Sequence, residues 1–123
     1  MKTPKKEMTR NDEITKDFLL LMDKHFSDLM NKRIDRRFHS KDFAALLFIH
    51  PVHLTNTIKL TTGKSPCELM EERMLAEAQQ MLKETGMSVA EIGYKFAYHE
   101  PTNFIKFFKG MIQLTPLQYR KSL

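Results

Sequence analysis

Two short sets of side chains stand out for what each can do as a group. Val52, Thr55, Asn56 and Lys59 recur at spacings of three, four and seven, and about fifty residues on Thr102, Asn103, Lys106 and Lys109 form a second set at spacings of one, four and seven. At 3.6 residues per turn each set shares one face of a helix. An Asn amide pairs bidentately with adenine, Val and Thr methyls pack on a thymine methyl, and Lys reaches phosphate or guanine. The chemistry these groups suit is the reading of base edges and backbone, with no bond made or broken. An ordinary solvated helix face uses the same residue types and is the plain alternative.

Other constellations are thinner. His50 and His53 lie three apart, but no further Cys or His pair completes a tetrahedral metal set. The expectation is a turn histidine and a partly buried core histidine, with no metal and no cofactor. Cys67 is the only cysteine, so no internal disulfide can form, and it reads as a small packed residue in a reduced, cytoplasmic setting. Glu68, Glu71, Glu72 and Glu77 share one helix with no pocket to desolvate them, so acid/base catalysis is not expected and the chain does not read as an enzyme. No phosphate-binding glycine loop and no Ser/His/Asp signature is present. Nine methionines fall mostly on apolar stripes, where they fill core.

Elements must hold the two polar faces in place. Helical spacing runs through nearly the whole chain, and no segment alternates over strand length. Ile14, Phe18, Leu21, Met22, His25, Phe26, Leu29 and Met30 make one apolar stripe of about five turns, with Asn11 or Asp12 as its cap. Residues 31–37 read as a polar, basic loop, in which Arg33, Arg36 and Arg37 serve either as backbone contacts or as solvated charge. A short helix over residues 41–48 follows. Pro51 opens the next helix, which stops at Gly63. Ser65 and Pro66 start a long helix ended by Gly86. Ser88 and Glu91 have capping-box spacing. Pro101 opens one more helix, and Thr115–Pro116 begin a last one with Tyr119. The sum is an all-α fold of about seven helices, with residues 1–10 as tail or linker and residues 11–123 as one domain.

The chain repeats itself. Pro51, Leu54, Ile58, Lys59, Ser65, Pro66 and Leu69 align at an offset of 50 with Pro101, Phe104, Phe108, Lys109, Thr115, Pro116 and Tyr119. Upstream the offset is 49, where Asp42, Phe43, Ala44 and Leu47 match Glu91, Ile92, Gly93 and Phe96. The second turn is therefore one residue longer. Each copy is a short helix, a tight turn and a second helix, with a small residue (Ala44 or Gly93) where the two helices approach. This is the organisation of a helix-turn-helix, over about residues 38–62 and 88–110. In each second helix, Leu54, Ile58, His53 and Thr57, or Phe104, Phe107 and Phe108, face inward. The connecting helix over residues 66–84 makes a strut of about 28 Å. That length suits two outward faces on successive major-groove segments of one duplex, which recur about every 34 Å.

Charge agrees. The net charge is +5, with residues 1–40 and 87–123 each at +3 and residues 63–86 at −2. Basic ends around a mildly acidic middle suit a polyanion. The longest apolar runs are too short for a bilayer, and no apolar stretch follows the N-terminal lysines as a secretory signal requires.

Residues 38–121 resemble the DNA-binding domain of the AraC/XylS family of bacterial transcription regulators. HPVHLTNTIKLTTGKSP is similar to that family's first recognition helix and the turn after it. EERMLAEAQQMLKETGMSVAEIGYKFAY is similar to its linker helix and the start of its second unit, and TNFIKFFKGMIQLTPLQYRKSL to its C-terminal signature. The resemblance implies a sequence-specific double-stranded DNA binder that regulates transcription. It carries Val52, Thr55, Asn56 and Lys59 onto the first recognition helix, and Pro101, Thr102, Asn103 and Lys106 onto the second. It also implies RNA polymerase as a partner, and an N-terminal effector or dimerisation domain that residues 1–37 cannot contain. The chain departs from the family at Ala97-Tyr98, where Gly-Phe is usual, and near Gln113, where a glycine is usual. Thr102 and Asn103 stand where many members carry Arg or Gln, which shifts the second unit toward phosphate and shape contacts. The competing reading is a helical protein–protein module of the same fold that has lost DNA binding; such a module would tolerate acidic or apolar residues on the two exposed faces.

Overall fold

A computed structural model of the chain describes residues 8–123. The described residues form α1 (Arg10–Met30), α2 (Ser40–Leu46), α3 (Pro51–Thr62), α4 (Pro66–Glu84), α5 (Val89–Lys95), α6 (Pro101–Ile112) and α7 (Pro116–Lys121), and no strand. The all-α architecture is the one the periodicity calls for: α2–α3 and α5–α6 are two helix-turn-helix units and α4 is the helix between them.

Local chemistry sets the boundaries. The cap of α1 is Thr9, not Asn11 or Asp12. The Thr9 hydroxyl accepts the Asp12 N–H at 3.1 Å, and the Asp12 carboxylate accepts the Thr9 N–H at 3.2 Å. Two orphan donors are satisfied reciprocally, which neither expected cap achieves alone. Arg10 therefore belongs to α1 and not to a tail, and residues 1–7 of the expected tail lie outside the described residues. Boxes of the same kind start α4, from Ser65 and Glu68, and α7, from Thr115 and Gln118. At α5 only half of the expected box closes: the Ser88 hydroxyl accepts the Glu91 N–H at 3.1 Å, with no return bond.

The two turns differ in length as the offsets require. Residues 47–50 join α2 to α3, and residues 96–100 join α5 to α6. The first short helix stops at Leu46 and not at residue 48, because Phe48 swings to a φ of 57°. Ala97 holds the equivalent place in the second turn with a φ of 64°. A second matched pair ends α3 and α6: Gly63 has a φ of 79° and Gln113 a φ of 65°. Only glycine takes this left-handed region without steric cost. Ala97→Gly and Gln113→Gly are each expected to stabilise the fold by about 0.5–1 kcal/mol, net of glycine's greater freedom when unfolded. Urea midpoints that fall in both variants contradict this.

One core runs through both units. Ile14, Phe18, Phe26 and Leu29 of α1 pack with Phe43, Ala44, Leu54 and Ile58 of the first unit. Met74, Ala78 and Leu82 of α4 carry that core on to Ile92, Phe96, Phe104 and Phe108 of the second. The small residue where α5 meets α6 is needed: a Cβ placed on Gly93 would lie 3.2 Å from the Phe104 Cβ. Ala44 is fully buried at the equivalent place between α2 and α3.

Polar contacts tie the halves together. The Arg37 guanidinium donates to the Phe96 carbonyl at 2.7 Å and lies 4.2 Å above the Tyr98 ring. Lys95 donates to the Met30 carbonyl at 3.0 Å. Arg120 of α7 donates to the Leu82 and Thr85 carbonyls, closing the open end of α4. Arg73 of α4 pairs with Glu77 at 2.9 Å and also with Asp23 of α1. Within the 31–37 loop, Arg33 pairs with Asp28 and Arg36 with Asp42. All three loop arginines thus have intramolecular partners, while the Arg33 and Arg36 side chains stay 66% and 58% exposed.

Candidate nucleic-acid interface

The first face stands on α3. His50 caps this helix with its Nδ1, which accepts the Val52 N–H at 3.1 Å, and Pro51 fixes the entry φ without needing an N–H partner. Leu54, Thr57 and Ile58 are buried and anchor the helix on α1 and α2. Val52, Asn56 and Lys59 are exposed and Thr55 is half-buried. The 58% exposure of Val52 matters, because an apolar side chain at the start of a helix is left uncovered next to polar neighbours. His53 is the correction here. It was expected in the core, yet it is exposed beside Val52 and Asn56. The internal repeat carried the signal, since His53 aligns with Asn103, which was placed outward.

The second face stands on α6. Phe104 and Phe108 are fully buried and Phe107 is partly so, packed against the same core. Thr102, Asn103, Lys106 and Lys109 are exposed; Pro101 is half-buried at the first helical position. The structure thus leaves all nine expected site residues at least partly open on α3 and α6, with Thr55 and Pro101 half-buried and Pro101 also opening its helix.

What these side chains do not touch is as informative as where they point. The side chains of Asn56, Lys59, Thr102, Asn103, Lys106 and Lys109 make no hydrogen bond or ion pair with any described residue. Many other surface cations are engaged, among them Lys24, Arg33, Arg36, Lys64 and Arg73. Neither α3 nor α6 carries an acidic side chain. Three uncommitted ammonium groups on faces free of carboxylate give local positive potential where a polyanion can sit.

The remaining groups with chemistry lie elsewhere. Cys67 was expected to be packed but is exposed near the start of α4. Among the described residues no three His, Cys, Asp or Glu side chains come together as a metal cluster, and no helix is long and apolar enough to cross a membrane.

Two bihelical units on one connecting helix, each with an exposed Asn/Thr/Lys face on its second helix, define a double helix-turn-helix DNA-binding domain. A family model described as a helix-turn-helix domain matches residues 43–122, and the chain belongs to that family, of the AraC type. The chain is 31% identical over 85 residues to an uncharacterized HTH-type transcriptional regulator of Haemophilus influenzae, covering 69% of this chain and 28% of that protein. Its fold is similar to the C-terminal domain of AraT, a response regulator of Geobacillus stearothermophilus, with a TM-score of 0.80 and 25% identity over 94% of this chain and 89% of that one. It also shares its fold with the DNA-binding domain of AdpA, solved in complex with a target DNA, with a TM-score of 0.72 and 17% identity over 86% and 91% of the two chains. The chain spans between 7% and 39% of the length of the curated relatives it matches.

Proposed function

We propose that the chain binds a specific site on double-stranded DNA by setting α3 and α6 into successive major-groove segments, and that it regulates transcription as part of the cytoplasmic machinery. The single observation behind this reading is the pair of uncommitted faces. Among the described residues the side chains of Asn56, Lys59, Asn103, Lys106 and Lys109 are exposed, unpaired and free of acidic neighbours on their own helices. A module that had turned to protein partners would have no need to keep both faces basic and short. Val52, Thr55, Asn56 and Asn103 are the base-reading groups; Lys59, Lys106 and Lys109 neutralise phosphate, and Thr102 and Pro101 set the approach of the second helix. The reading assigns the chain no covalent chemistry. Contact with RNA polymerase, and an effector or dimerisation domain attached on the N-terminal side, belong to the same proposal.

The test is a salt titration on a duplex selected from a random pool. Each phosphate contact releases counterion, so Lys59→Ala and Lys109→Ala should each weaken binding on every sequence and lower the log–log salt slope by about one unit. A slope that both variants leave unchanged removes these lysines from the phosphate contacts. Absence of any duplex binding at low salt favours the protein–protein module instead.

A further inference from the structure

The recognition helices are as telling for the residues they lack. Between them, α3 (PVHLTNTIKLTT) and α6 (PTNFIKFFKGMI) contain no Arg, Gln, Asp or Glu. The commonest specific contact to guanine is a bidentate fork on O6 and N7, and the usual contact to cytosine is a carboxylate accepting from N4. On α3 neither is available. Its one lysine, Lys59, stands in the last turn, away from the N-terminal end of a recognition helix that meets base edges. The groups at that end are the Val52 isopropyl, the Thr55 methyl and the Asn56 amide. His53 shares the exposed face, and as a single-point donor it offers no bidentate match to any base.

We infer, resting on the reading of the chain as a duplex DNA binder, that the groove segment under α3 is a run of A·T pairs: an adenine held through N6 and N7 by Asn56, flanked by thymine methyls packed on Val52 and Thr55. Exposure supports the Val52 and Asn56 contacts, and half-buried Thr55 keeps part of its side chain open beside them. Val52 is more than half exposed, so its methyls are free to lose water against a thymine methyl, and the Asn56 amide has no partner among the described residues to give up. The second segment differs. Lys106 occupies on α6 the place that Asn56 occupies on α3, by the offset of fifty, and it can meet guanine or phosphate. Asn103 near the start of α6 can also hold an adenine, so the uninterrupted A·T run is assigned to the α3 segment alone.

Preference for A·T can also arise from a narrow minor groove and duplex stiffness. Base analogues separate the two. An inosine·cytosine pair keeps the minor-groove pattern of A·T but presents the major-groove edge of G·C. Deoxyuridine in place of thymidine removes only the methyl. The experiment takes the full chain, selects bound duplexes from a random pool, and measures affinity for the best site with each analogue placed across the α3 segment. The expected result is an A·T run in one groove segment, about a tenfold or greater loss with inosine·cytosine at the Asn56 position, and a severalfold loss with deoxyuridine. Asn56→Ala, a change at an exposed position, should erase the preference at one adenine and leave the other positions unchanged. Selection of G·C pairs under α3, or full affinity for inosine·cytosine sites, overturns the inference while leaving duplex binding intact. Failure to bind any duplex overturns the functional reading itself, and this inference with it.

Discussion

Phe104→Ala lowers the stability of the folded chain by about 3–5 kcal/mol, the range for a fully buried aromatic truncated in a packed core. Phe104 is wholly buried and is the residue on which the second unit is assembled. Its ring lies 6.0 Å from Phe96, 5.8 Å from Tyr98 and 6.1 Å from Phe108, and its Cβ fills the space left by the missing side chain of Gly93. Truncation opens a void between α5, the turn after it and α6, which cannot all collapse into it. A domain of this size has about 5–15 kcal/mol in total, so the loss takes a large share. Phe107→Ala, three residues on and only half-buried, should cost markedly less. Urea unfolding followed by circular dichroism measures both; a Phe104→Ala loss under about 1 kcal/mol would show that the second unit is not built around this ring.

The second large effect is one of pH. His25 is 3% exposed and stacked on Phe38 with ring centroids 4.1 Å apart. Its Nε2 accepts the Phe38 N–H at 3.0 Å, so the neutral ring carries its proton on Nδ1, which has no partner among the described residues. Burial, opposed by Asp28 and Asp42 and assisted by Arg36 and Arg37, holds the imidazole well below its usual value of 6.5, at about 4. In the unfolded chain the ring titrates at its ordinary value, so between the two values the unfolded state binds the extra proton. The contribution of His25 to stability is complete above about pH 6.5 and is lost as the pH falls toward 4. The loss from pH 7.5 to 4.5 should be about 2–3 kcal/mol. Asp28 is held below the usual carboxylate range by its hydrogen bond from Lys24, aided by Arg33. At Asp42, burial pulls upward and the Arg36 hydrogen bonds outweigh it. The stability these two carboxylates supply fades only below about pH 4, outside that window. In His25→Gln an amide oxygen can still accept the Phe38 N–H without titrating, so the decline should flatten. A urea midpoint that is the same at pH 7.5 and 4.5 in the unchanged chain rules out the proposed role of His25.

Much of this was legible beforehand. The apolar stripe of α1, the opening prolines and the offset repeat of 49 and 50 residues locate every helix, and the one-residue difference between offsets appears directly in the turn lengths. The exposed faces were legible because a 3.6-residue period separates Leu54 and Ile58 from Val52, Asn56 and Lys59 without ambiguity. The failures have physical reasons. His53 lies on the border between the buried and exposed sectors of α3, where period alone cannot choose. Thr9 was missed because a capping box depends on a reciprocal bond that several residues near a helix start can make. Cys67 was placed inside on residue type, but the second position of α4 turns outward while Pro66 takes the buried place. The ties from Arg37 to Phe96 and from Lys95 to Met30 join residues 59 and 65 positions apart, and no local pattern announces them.

Those two ties have a consequence for the operator. They clamp the loop before α2 and the end of α1 onto the second unit, so the connecting rod is not the sole joint. In the proposed complex the two half-sites must then keep one rotational phase. One additional base pair in the spacer turns the distal half-site by about 34–36° around the duplex axis, given roughly 10–10.5 base pairs per turn. A clamped protein does not follow that rotation; the duplex must untwist or bend instead, and that cost depends on which base steps lie between. Supple pyrimidine–purine steps in the spacer thereby become part of what the chain selects, though no side chain reaches them.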